Sequence, residues 1–330
     1  MIIVTGANGP LGRLVVEHLV PLVAPGEVVA SVRDPAAFEL DVEVRRGDFD
    51  EPATLDLAGA DTVFLIATNY GTPPEVRGRQ QADAIGAARA AGVRRIVVTS
   101  WQDADNCPLA SMTDYPATER LVATAAGAWT VVRVGYGLAA ALARDVLAAR
   151  KAGVLTAPAG GARVAAAATA DQAEAIARIL ADHPTAVVTN PTAVGTGTHD
   201  TATHPIATDP TRGHLGVHDA NVHDENVHDE NVHNGKTYDL TGPDTVGWAD
   251  LATLAGPGIA YRPASDDDFS AQAIASGFPA RAIDQLLALY AAFRSGWANT
   301  PTTDLARLLG RRPMSALDAV SQAVDAWAWS

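Results

Sequence analysis

Three glycines near the start of the chain have a spacing that can hold phosphate groups. They are Gly6, Gly9 and Gly12 in IIVTGANGPLGRLVV, which follows a strand pattern and precedes an amphipathic helix pattern. The first glycine permits a tight turn, the second lets backbone approach a pyrophosphate, and the third lets the helix pack close to the strand. The N–H groups of Asn8 to Leu11 would then face the phosphates at the positive end of the helix dipole. The pattern predicts a dinucleotide-binding site, with a merely structural turn as the alternative.

The residue after the second apolar run indicates which dinucleotide is bound. The run ends in VVASVRDP, which places Arg33 at the tip of a strand and Asp34 next to it. An arginine there suits the 2′-phosphate of NADP, whereas an acidic residue would bind the ribose hydroxyls of NAD. We therefore expect NADP as cofactor, with NADPH preferred over NADH. If the strand tip is shifted by one residue, Asp34 could bind the ribose and the preference would weaken.

Tyr115, in TDYPATERL, is a candidate proton donor. Tyrosine-dependent reductases have a lysine four residues later, one helical turn away, whose charge lowers the phenol pKa. Here Glu119 occupies that place and would raise the pKa, and the nearby cation, Arg120, lies off that helical face. Tyr115 is either a catalytic acid or the first residue of a helix capped by Asp114 or Thr113. The second interpretation is preferred.

Three other residues nearby could take part in chemistry. Ser100, at the end of the fifth predicted strand, could supply the hydroxyl of a reductase site or bond to backbone as a polar strand end. Trp101 could belong to the core or to a pocket wall. Cys107 is expected to be a passive thiol rather than a nucleophile.

Short apolar runs rich in Val and Ile alternate with Ala-rich helical stretches along the first half of the chain. The predicted strands are Met1–Thr5, Val28–Val32, Val42–Arg46, Thr62–Ala67, Arg95–Thr99 and Trp129–Val134. The predicted helices between them are Leu11–Val20, Pro52–Leu57, Pro74–Ala91 and Tyr115–Ala126. This alternation predicts an α/β fold with a doubly wound parallel sheet (Rossmann), which binds ligands at the carboxyl ends of its strands.

Beyond residue 153 the alternation loosens. We predict a dinucleotide-binding domain over residues 1–153 and a smaller, mostly helical C-terminal capping domain over residues 154–330. A helix is expected near Thr169–Asp182, and a strand at Thr237–Leu240 would return to the sheet.

Residues 191–234 form a low-complexity insertion rich in His and Asp, ending in the repeat VHDAN VHDEN VHDEN VHNGK. A period of five matches neither a helical face nor strand alternation, so the segment has no apolar side to bury. A solvated, mobile insertion is the preferred interpretation, and weak metal binding or contact with a partner are the alternatives. The spacing lacks the fixed geometry of a structural metal site.

The composition and net charge of the chain limit the kinds of molecule that it is expected to bind. Of 330 residues, 48% are hydrophobic and 19% are charged, as expected of a soluble globular protein. A net charge of −14 argues against nucleic acid, because non-specific affinity for it depends on Lys and Arg. The chain shows no long apolar span and no basic region before its first apolar stretch. We therefore expect no signal peptide, no membrane partner and a cytoplasmic location.

Several segments together resemble the NmrA-like atypical short-chain dehydrogenase/reductases, and most closely the NAD(P)H:quinone oxidoreductase 2 group. They are TGANGPLG, SVRDP, RGDFDEPATL, AARAAGVRRIVVTS, VVRVGYG, GKTYDLTGP and LLGRRPMSALDAV, with the TE pair at Thr118–Glu119. The likeness covers nearly the whole chain outside the insertion. In this group the Tyr and Lys of the reductase superfamily are commonly degenerate, and Glu often stands at the place of Glu119. The missing lysine is therefore a feature of the group.

The resemblance also implies which residues bind the cofactor. It implies a phosphate loop of Gly6, Ala7, Asn8, Gly9, Pro10, Leu11 and Gly12, a 2′-phosphate contact from Arg33, and an adenine edge of Asp48 and Phe49. It places Ala67, Thr68 and Asn69 on the ribose side, and Val134, Gly135, Tyr136, Gly137, Leu138 and Ala139 along the nicotinamide. Tyr136, as a candidate ring against the substrate, joins Tyr115 and Ser100 as a third catalytic candidate.

The activity that the resemblance implies is NADPH-dependent hydride transfer to a small-molecule acceptor, either a quinone or a similar conjugated compound. Reduction of a simple ketone generates a strongly basic alkoxide and needs a positioned acid. A quinone yields a far less basic hydroquinone anion, so its reduction needs little more than cofactor positioning.

Other functions and assembly states stay open. The alternative to an enzyme is a non-catalytic redox sensor of the NmrA type, which binds the dinucleotide and regulates a partner. An isomerase or epimerase ranks third because it would need the absent Tyr-Lys pair. The sequence allows either a monomer or a homodimer.

Overall fold

Strands and helices alternate along the chain, as the sequence predicts. The computed structural model describes residues 1–66, 71–135, 137–182 and 232–327. The strands are β1 (Ile2–Thr5), β2 (Val28–Val32), β3 (Glu43–Arg46), β4 (Thr62–Leu65), β5 (Arg95–Trp101), β6 (Ala128–Val134), β7 (Leu155–Ala157), β8 (Arg163–Val164), β9 (Lys236–Leu240), β10 (Val246–Gly247) and β11 (Tyr261–Pro263). The helices are α1 (Pro10–Leu19), α2 (Pro74–Ala90), α3 (Tyr115–Ala125), α4 (Leu138–Ala152), α5 (Thr169–Ala181), α6 (Trp248–Ala255), α7 (Asp266–Ala275), α8 (Ala280–Arg294), α9 (Asp304–Leu309) and α10 (Ala316–Trp327).

Seven of these strands form one parallel sheet, in the order β3-β2-β1-β4-β5-β6-β9. The order changes direction between β1 and β4, so the carboxyl ends of these strands flank the point where doubly wound sheets bind ligands. The other strands form two small pairs, β8 with β10 and β7 with β11. The predicted doubly wound α/β fold is confirmed.

Burial on both faces explains the apolar sequence of the central strands. Every residue of β1, β2, β4 and β5 is buried, as a parallel sheet covered by helices requires. On one face α1 packs against α5, with Val16 and Ile176 in a shared core. On the other face α2 packs beside α3, where Ile85 and Val122 share a second core. No residue of the edge strand β3 is buried.

A buried carboxylate ties together three helices of the C-terminal half. Asp145 of α4 is 8% exposed and accepts hydrogen bonds from Trp248 Nε1 of α6 at 2.9 Å and from the Tyr290 hydroxyl of α8 at 2.8 Å. The Arg144 guanidinium also donates to it, at 2.9 Å. Burial, together with the Asp145 charge, raises the pKa of the Tyr290 phenol well above its usual value. A buried charge needs such partners, because leaving it unpaired is costly.

Some predicted elements are wrong in extent. Residues 52–57 form no α-helix, only a 3₁₀ turn at Pro52–Thr54, because the backbone leaves the helical conformation at Leu55. Helix α4 was not predicted, although LAAALARDVLAARKA consists largely of strong helix formers. Strand β5 continues past the predicted end at Thr99, so Ser100 lies within the strand.

Two predictions concern the organisation of the chain. Most of the predicted insertion, residues 191–231, lies outside the described residues. The predicted division of the chain after residue 153 stays a prediction. Among the described helices, none combines the length and the apolar character needed to cross a membrane.

The last residues of the predicted insertion are anchored to the sheet. The Thr130 hydroxyl donates to the His233 carbonyl at 2.8 Å, and the Trp129 N–H donates to Asn234 Oδ1 at 3.1 Å. The His233 ring contributes as well, because its Nδ1 lies 2.8 Å from the Tyr238 hydroxyl. These contacts join the residues just before β9 to its neighbour β6.

The residues on either side of the inserted segment lie next to each other. His233 Nε2 is 3.3 Å from an Asp182 carboxylate oxygen at the end of α5. The Arg95 guanidinium donates to the carbonyls of Ile179 and Asp182, which satisfies acceptors at the helix C-terminus. Burial lowers the pKa of Arg95 to about 10 and also lowers the pKa of His233.

We expect two deletions that differ by only three residues to differ in stability. Removing residues 192–231 and closing the gap with a short linker should leave thermal stability close to that of the full chain. Removing residues 192–234 with the same linker should cost a further ~1–3 kcal/mol, because the hydrogen bonds of His233 and Asn234 are lost. The measurement is thermal and denaturant unfolding under metal-free conditions.

Equal stabilities for the two deletions would show that the anchoring contacts contribute nothing. A large loss already in the shorter deletion would show that the removed segment itself stabilises the fold.

Candidate functional site

A cavity of about 510 Å³ opens at the carboxyl ends of β1, β2, β4 and β5. The predicted site residues that line it are Gly6, Asn8, Gly9, Pro10, Leu11, Gly12, Arg33, Asp48, Phe49, Ser100, Tyr115 and Val134. It is also lined by Val32, Asp34, Gly47, Asp50, Ile66, Thr72, Gln80, Thr99 and Trp101. The cavity therefore brings the predicted phosphate loop and two of the three catalytic candidates to one place.

Other predicted residues are not at the cavity wall or are not described. Ala7, Gly135, Gly137, Leu138 and Ala139 do not line the described cavity. Ala7 and Leu138 are buried in the apolar cores instead. The predicted site residues Ala67, Thr68, Asn69 and Tyr136 lie outside the described residues.

The geometry of the glycine loop explains why glycines occupy it. Gly6 has a φ of +60°, a conformation that favours glycine. A Cβ atom on Gly12 would lie 2.4 Å from the Gly6 carbonyl oxygen and 2.9 Å from Ala7 Cα, so only glycine lets α1 start this close to β1. Gly9 is less crowded, since its Cβ would lie 3.2 Å from the same oxygen.

The expectation that all N–H groups from Asn8 to Leu11 face phosphates is wrong. Pro10 has no N–H, and the Gly9 N–H donates to the Gly6 carbonyl at 2.9 Å. Within this stretch only Asn8 and Leu11 can offer an N–H to a ligand. The N–H of Gly12, in the first turn of the helix, adds to them because it has no partner within the helix.

Arg33 and Asp34 follow β2 directly and both line the cavity. Arg33 is exposed and makes no ion pair with any described residue. The Asp34 carboxylate accepts a hydrogen bond from the Ala36 N–H at 3.1 Å and thereby caps the 3₁₀ turn Pro35–Ala37. The cation is therefore the less engaged of the two groups, which favours a phosphate ligand at this point.

A tight turn after β3 forms another part of the wall. Asp48 accepts from the Asp50 N–H at 3.0 Å, and its own N–H donates to the Thr54 hydroxyl at 2.9 Å. Asp50 in turn accepts from Gln80 Nε2 at 2.7 Å. Gly47 precedes this turn, where a Cβ would lie 2.1 Å from the Ser31 hydroxyl. Sequence reasoning missed Gly47, Asp50 and Gln80, although the glycine and acids of RGDFD are a signal for a turn.

Tyr115 begins α3 and is 6% exposed. Its ring stacks on Trp101 with the ring centroids 6.2 Å apart, and the guanidinium carbon of Arg77 lies 4.8 Å from its ring centroid. Burial raises the pKa of the phenol to about 12, and Arg77 opposes that rise. The nearby cation is thus Arg77 from α2, and the expectation that it is Arg120 is wrong. At neutral pH the phenol is a weak acid.

The predicted cap of α3 is also wrong. Asp114 stands at the N-cap position, but its side chain accepts no capping hydrogen bond. Its carboxylate instead pairs with the Arg77 guanidinium, with Nε 2.8 Å from Oδ2, in a pair whose side chains are 0% and 7% exposed. The Thr113 hydroxyl donates to the Ala110 carbonyl. The Asp114 carboxylate pairs with Arg77 and does not cap α3, because a buried arginine without a carboxylate partner would be costly.

Glu119 does not act on the phenol as predicted. It accepts two hydrogen bonds from the Arg133 guanidinium, at 2.8 and 2.6 Å, and one from the Ser100 hydroxyl at 2.5 Å. Burial raises the pKa of Tyr115 most, and the charged residue that adds to the rise is Asp114. Ser100 therefore bonds to a side chain, and neither to backbone nor to Tyr115.

Cys107 lies close to this cluster and is half-buried. Burial raises the pKa of its thiol to about 11. At neutral pH it therefore stays a thiol, the form that is not nucleophilic.

Residues 6–183 match a family model described as NAD(P)H-binding. The chain is 35% identical over 190 residues to quinone oxidoreductase 2 of Escherichia coli (strain K12), which covers 55% of this chain and 64% of that protein. It is 37% identical over 105 residues to the (4-alkanoyl-5-oxo-2,5-dihydrofuran-3-yl)methyl phosphate reductase of Streptomyces griseus, covering 30% of this chain and 34% of that protein. The aligned regions thus span less than two thirds of these relatives.

Solved structures give a likeness over the full length. The NADPH-dependent quinone oxidoreductase of Escherichia coli in complex with NADPH is 26% identical, with a TM-score of 0.74, over 98% of this chain and 99% of that one. Triphenylmethane reductase of Citrobacter sp., in complex with NADP(H), is 23% identical with a TM-score of 0.76 over the same shares, which shows the fold. The predicted resemblance to the quinone oxidoreductase 2 group is confirmed. Because the family model matches more than half of the chain and includes the glycine loop, this protein belongs to the NAD(P)H-binding family.

Proposed function

We propose that the protein is an NADPH-dependent oxidoreductase that transfers hydride to a quinone or a similar conjugated small molecule. The observation that carries this proposal is one cavity lined by the glycine loop, Arg33, Ser100 and Tyr115. It is supported by the likeness to a quinone oxidoreductase over nearly the whole chain. The cytoplasmic location and the choice between monomer and homodimer stay predictions.

The described residues fit a bound NADPH. Gly6 makes the tight turn after β1 and Gly12 lets α1 start close to it, so a pyrophosphate could meet the N-terminal end of α1. Arg33 would bind the 2′-phosphate, and Asp48 and Phe49 would lie at the adenine. When bound, NADPH supplies the hydride. The protein's own part is to hold the nicotinamide and the acceptor together and to keep water away from them.

The chemistry near Tyr115 favours an acceptor that needs no strong acid. The phenol has a pKa of about 12, and the Ser100 proton is directed to Glu119. Among the described residues at the cavity, neither hydroxyl is therefore activated to protonate an alkoxide. A quinone avoids that demand because its reduced anion is only weakly basic.

The direct test is oxidation of NADPH, followed by the loss of its absorbance, with a panel of quinones and dyes. We expect turnover with at least one quinone and none with simple ketones. Protein that binds NADPH but transfers hydride to no acceptor in the panel would support the sensor instead.

We expect Arg33→Asp to reverse or abolish the preference for NADPH over NADH. A charge-assisted contact with the 2′-phosphate is worth about 1.5–3 kcal/mol, so the wild-type preference should be roughly ten- to a hundredfold. The measurement is titration of both cofactors at one ionic strength. Arg120→Asp is the control, because it makes the same change of charge at an exposed position that does not line the cavity. Equal affinities of the wild type for both cofactors would remove the role of Arg33.

We expect Tyr115→Phe to lower the rate of quinone reduction by less than about tenfold, whereas loss of a general acid typically costs about 10²–10⁴-fold. The Phe variant keeps the ring that stacks on Trp101 and lies under Arg77. Tyr115→Leu, which removes that ring, should cost more through the fit of the acceptor. The measurements are kcat and KM with saturating NADPH. A hundredfold loss in the Phe variant at unchanged NADPH affinity would identify Tyr115 as the acid and point to a ketone or aldehyde substrate.

A further inference from the structure

We propose that Glu119 and Arg133 fix the Ser100 hydroxyl as a hydrogen-bond acceptor toward the cavity, so that the ligand group it binds is an N–H or O–H donor. The inference rests on the proposed function in one respect, namely that the cavity holds a nicotinamide and an organic acceptor. Glu119 and Arg133 are positioning residues in this account, because they act through Ser100.

Three elements bring these side chains together. Ser100 of β5 and Arg133 of β6 are paired across the sheet, and Glu119 reaches both from α3. The side chains of Glu119 and Arg133 are each only 13% exposed. Solvent therefore offers the carboxylate few competing donors, and the arrangement is held from two sides.

Whether the Ser100 hydroxyl donates to a ligand or accepts from it follows from its single proton. A serine hydroxyl has one proton and two acceptor lone pairs. The Ser100 proton is donated to Glu119 Oε1 at 2.5 Å. A carboxylate can only accept, and the Arg133 guanidinium donates two further hydrogen bonds to it. What Ser100 can still offer to a ligand is a lone pair.

Arg133 is itself held in place. Its Nη2 lies 2.7 Å from a carboxylate oxygen of Asp105, and the hydrogen bonds that it donates to Glu119 raise its pKa further above an already high value. It therefore keeps its proton at every pH of interest. A change of pH therefore does not release the Ser100 hydroxyl from Glu119 by deprotonating Arg133.

The orientation of the Ser100 hydroxyl determines which ligand groups it can bind. A hydroxyl that donates would bind the carbonyl oxygen of an oxidised substrate. A hydroxyl that only accepts binds either the hydroxyl of a reduced acceptor such as a hydroquinone, or the carboxamide N–H of the nicotinamide. Both sources share the same chemistry, and matched ligands distinguish them.

The test compares two ligand pairs in which one member lacks the donor, by calorimetric titration in the absence of oxygen. The first pair is hydroquinone and its dimethyl ether, titrated into protein saturated with NADP⁺. The second pair is NADP⁺ and its acetylpyridine analogue, which has a methyl group in place of the carboxamide N–H₂. Neither pair requires turnover, so the result does not depend on whether a quinone is reduced.

We expect the wild type to prefer the donor in one pair by roughly three- to tenfold, the value of one neutral hydrogen bond. Ser100→Ala should lose that preference. In the hydroquinone pair, the double variant Glu119→Met with Arg133→Met should lose most of it too, because the released hydroxyl can then donate to the ether oxygen as well as accept from the phenol. Replacing both partners of an ion pair by apolar residues is often tolerated. Asp105→Asn is the control and should keep the preference, because it touches Arg133 without touching Ser100.

The pair that shows the preference identifies the source of the donor. No discrimination in either pair, or a preference that survives in Ser100→Ala, would overturn the proposal. In the hydroquinone pair, a preference that survives in the double variant, with cooperative unfolding intact, would show that Ser100 accepts without help from Glu119 and would also overturn it. Failure of the wild type to oxidise NADPH with any quinone would count against the proposed function alone.

Discussion

Helix α1 starts closer to the turn after β1 than any residue with a side chain would permit. A Cβ atom on Gly12 would meet the Gly6 carbonyl oxygen at 2.4 Å, well inside contact distance. This close approach places the positive end of the helix dipole at the switch point of the sheet. This junction forms one wall of the cavity, and Arg33 adds a second positive group to the lining.

Two ion pairs join α3 to neighbouring elements. Asp114, just before the helix, is paired with Arg77 of α2, and Glu119, within it, is paired with Arg133 of β6. Removing one partner of a buried pair typically costs about 3–5 kcal/mol, because a charge is left without compensation. These pairs therefore also determine where the Tyr115 ring lies in the cavity. The orientation of the phenol is set by residues that never touch a ligand.

How far the sequence predicts this protein depends on how local each interaction is. The glycine loop and Arg33 were predictable, because a strand, a turn and a helix follow one another within a few residues. The contact of Arg77 with Asp114 spans 37 positions in sequence, and only tertiary packing brings the two together. The expectation of a cap at Asp114 failed for that reason, since helix-capping rules consider neighbours alone. The missing N–H of Pro10, by contrast, was evident from the residue type.

Asp182 and His233 lie 3.3 Å apart, so the chain leaves the end of α5 and returns before β9 at nearly the same point. The entropy of closing a loop between two fixed points rises only with the logarithm of its length, and a doubling costs about 0.6 kcal/mol. A tandem repeat such as VHDEN changes its copy number by whole units when DNA polymerase slips. Arg95 and Thr130 hold the carbonyls of Ile179, Asp182 and His233 at the sheet, so the contacts that fix the two flanks of the repeat come from outside it. A change in copy number therefore falls between two fixed points of the fold and not within one of its strands or helices.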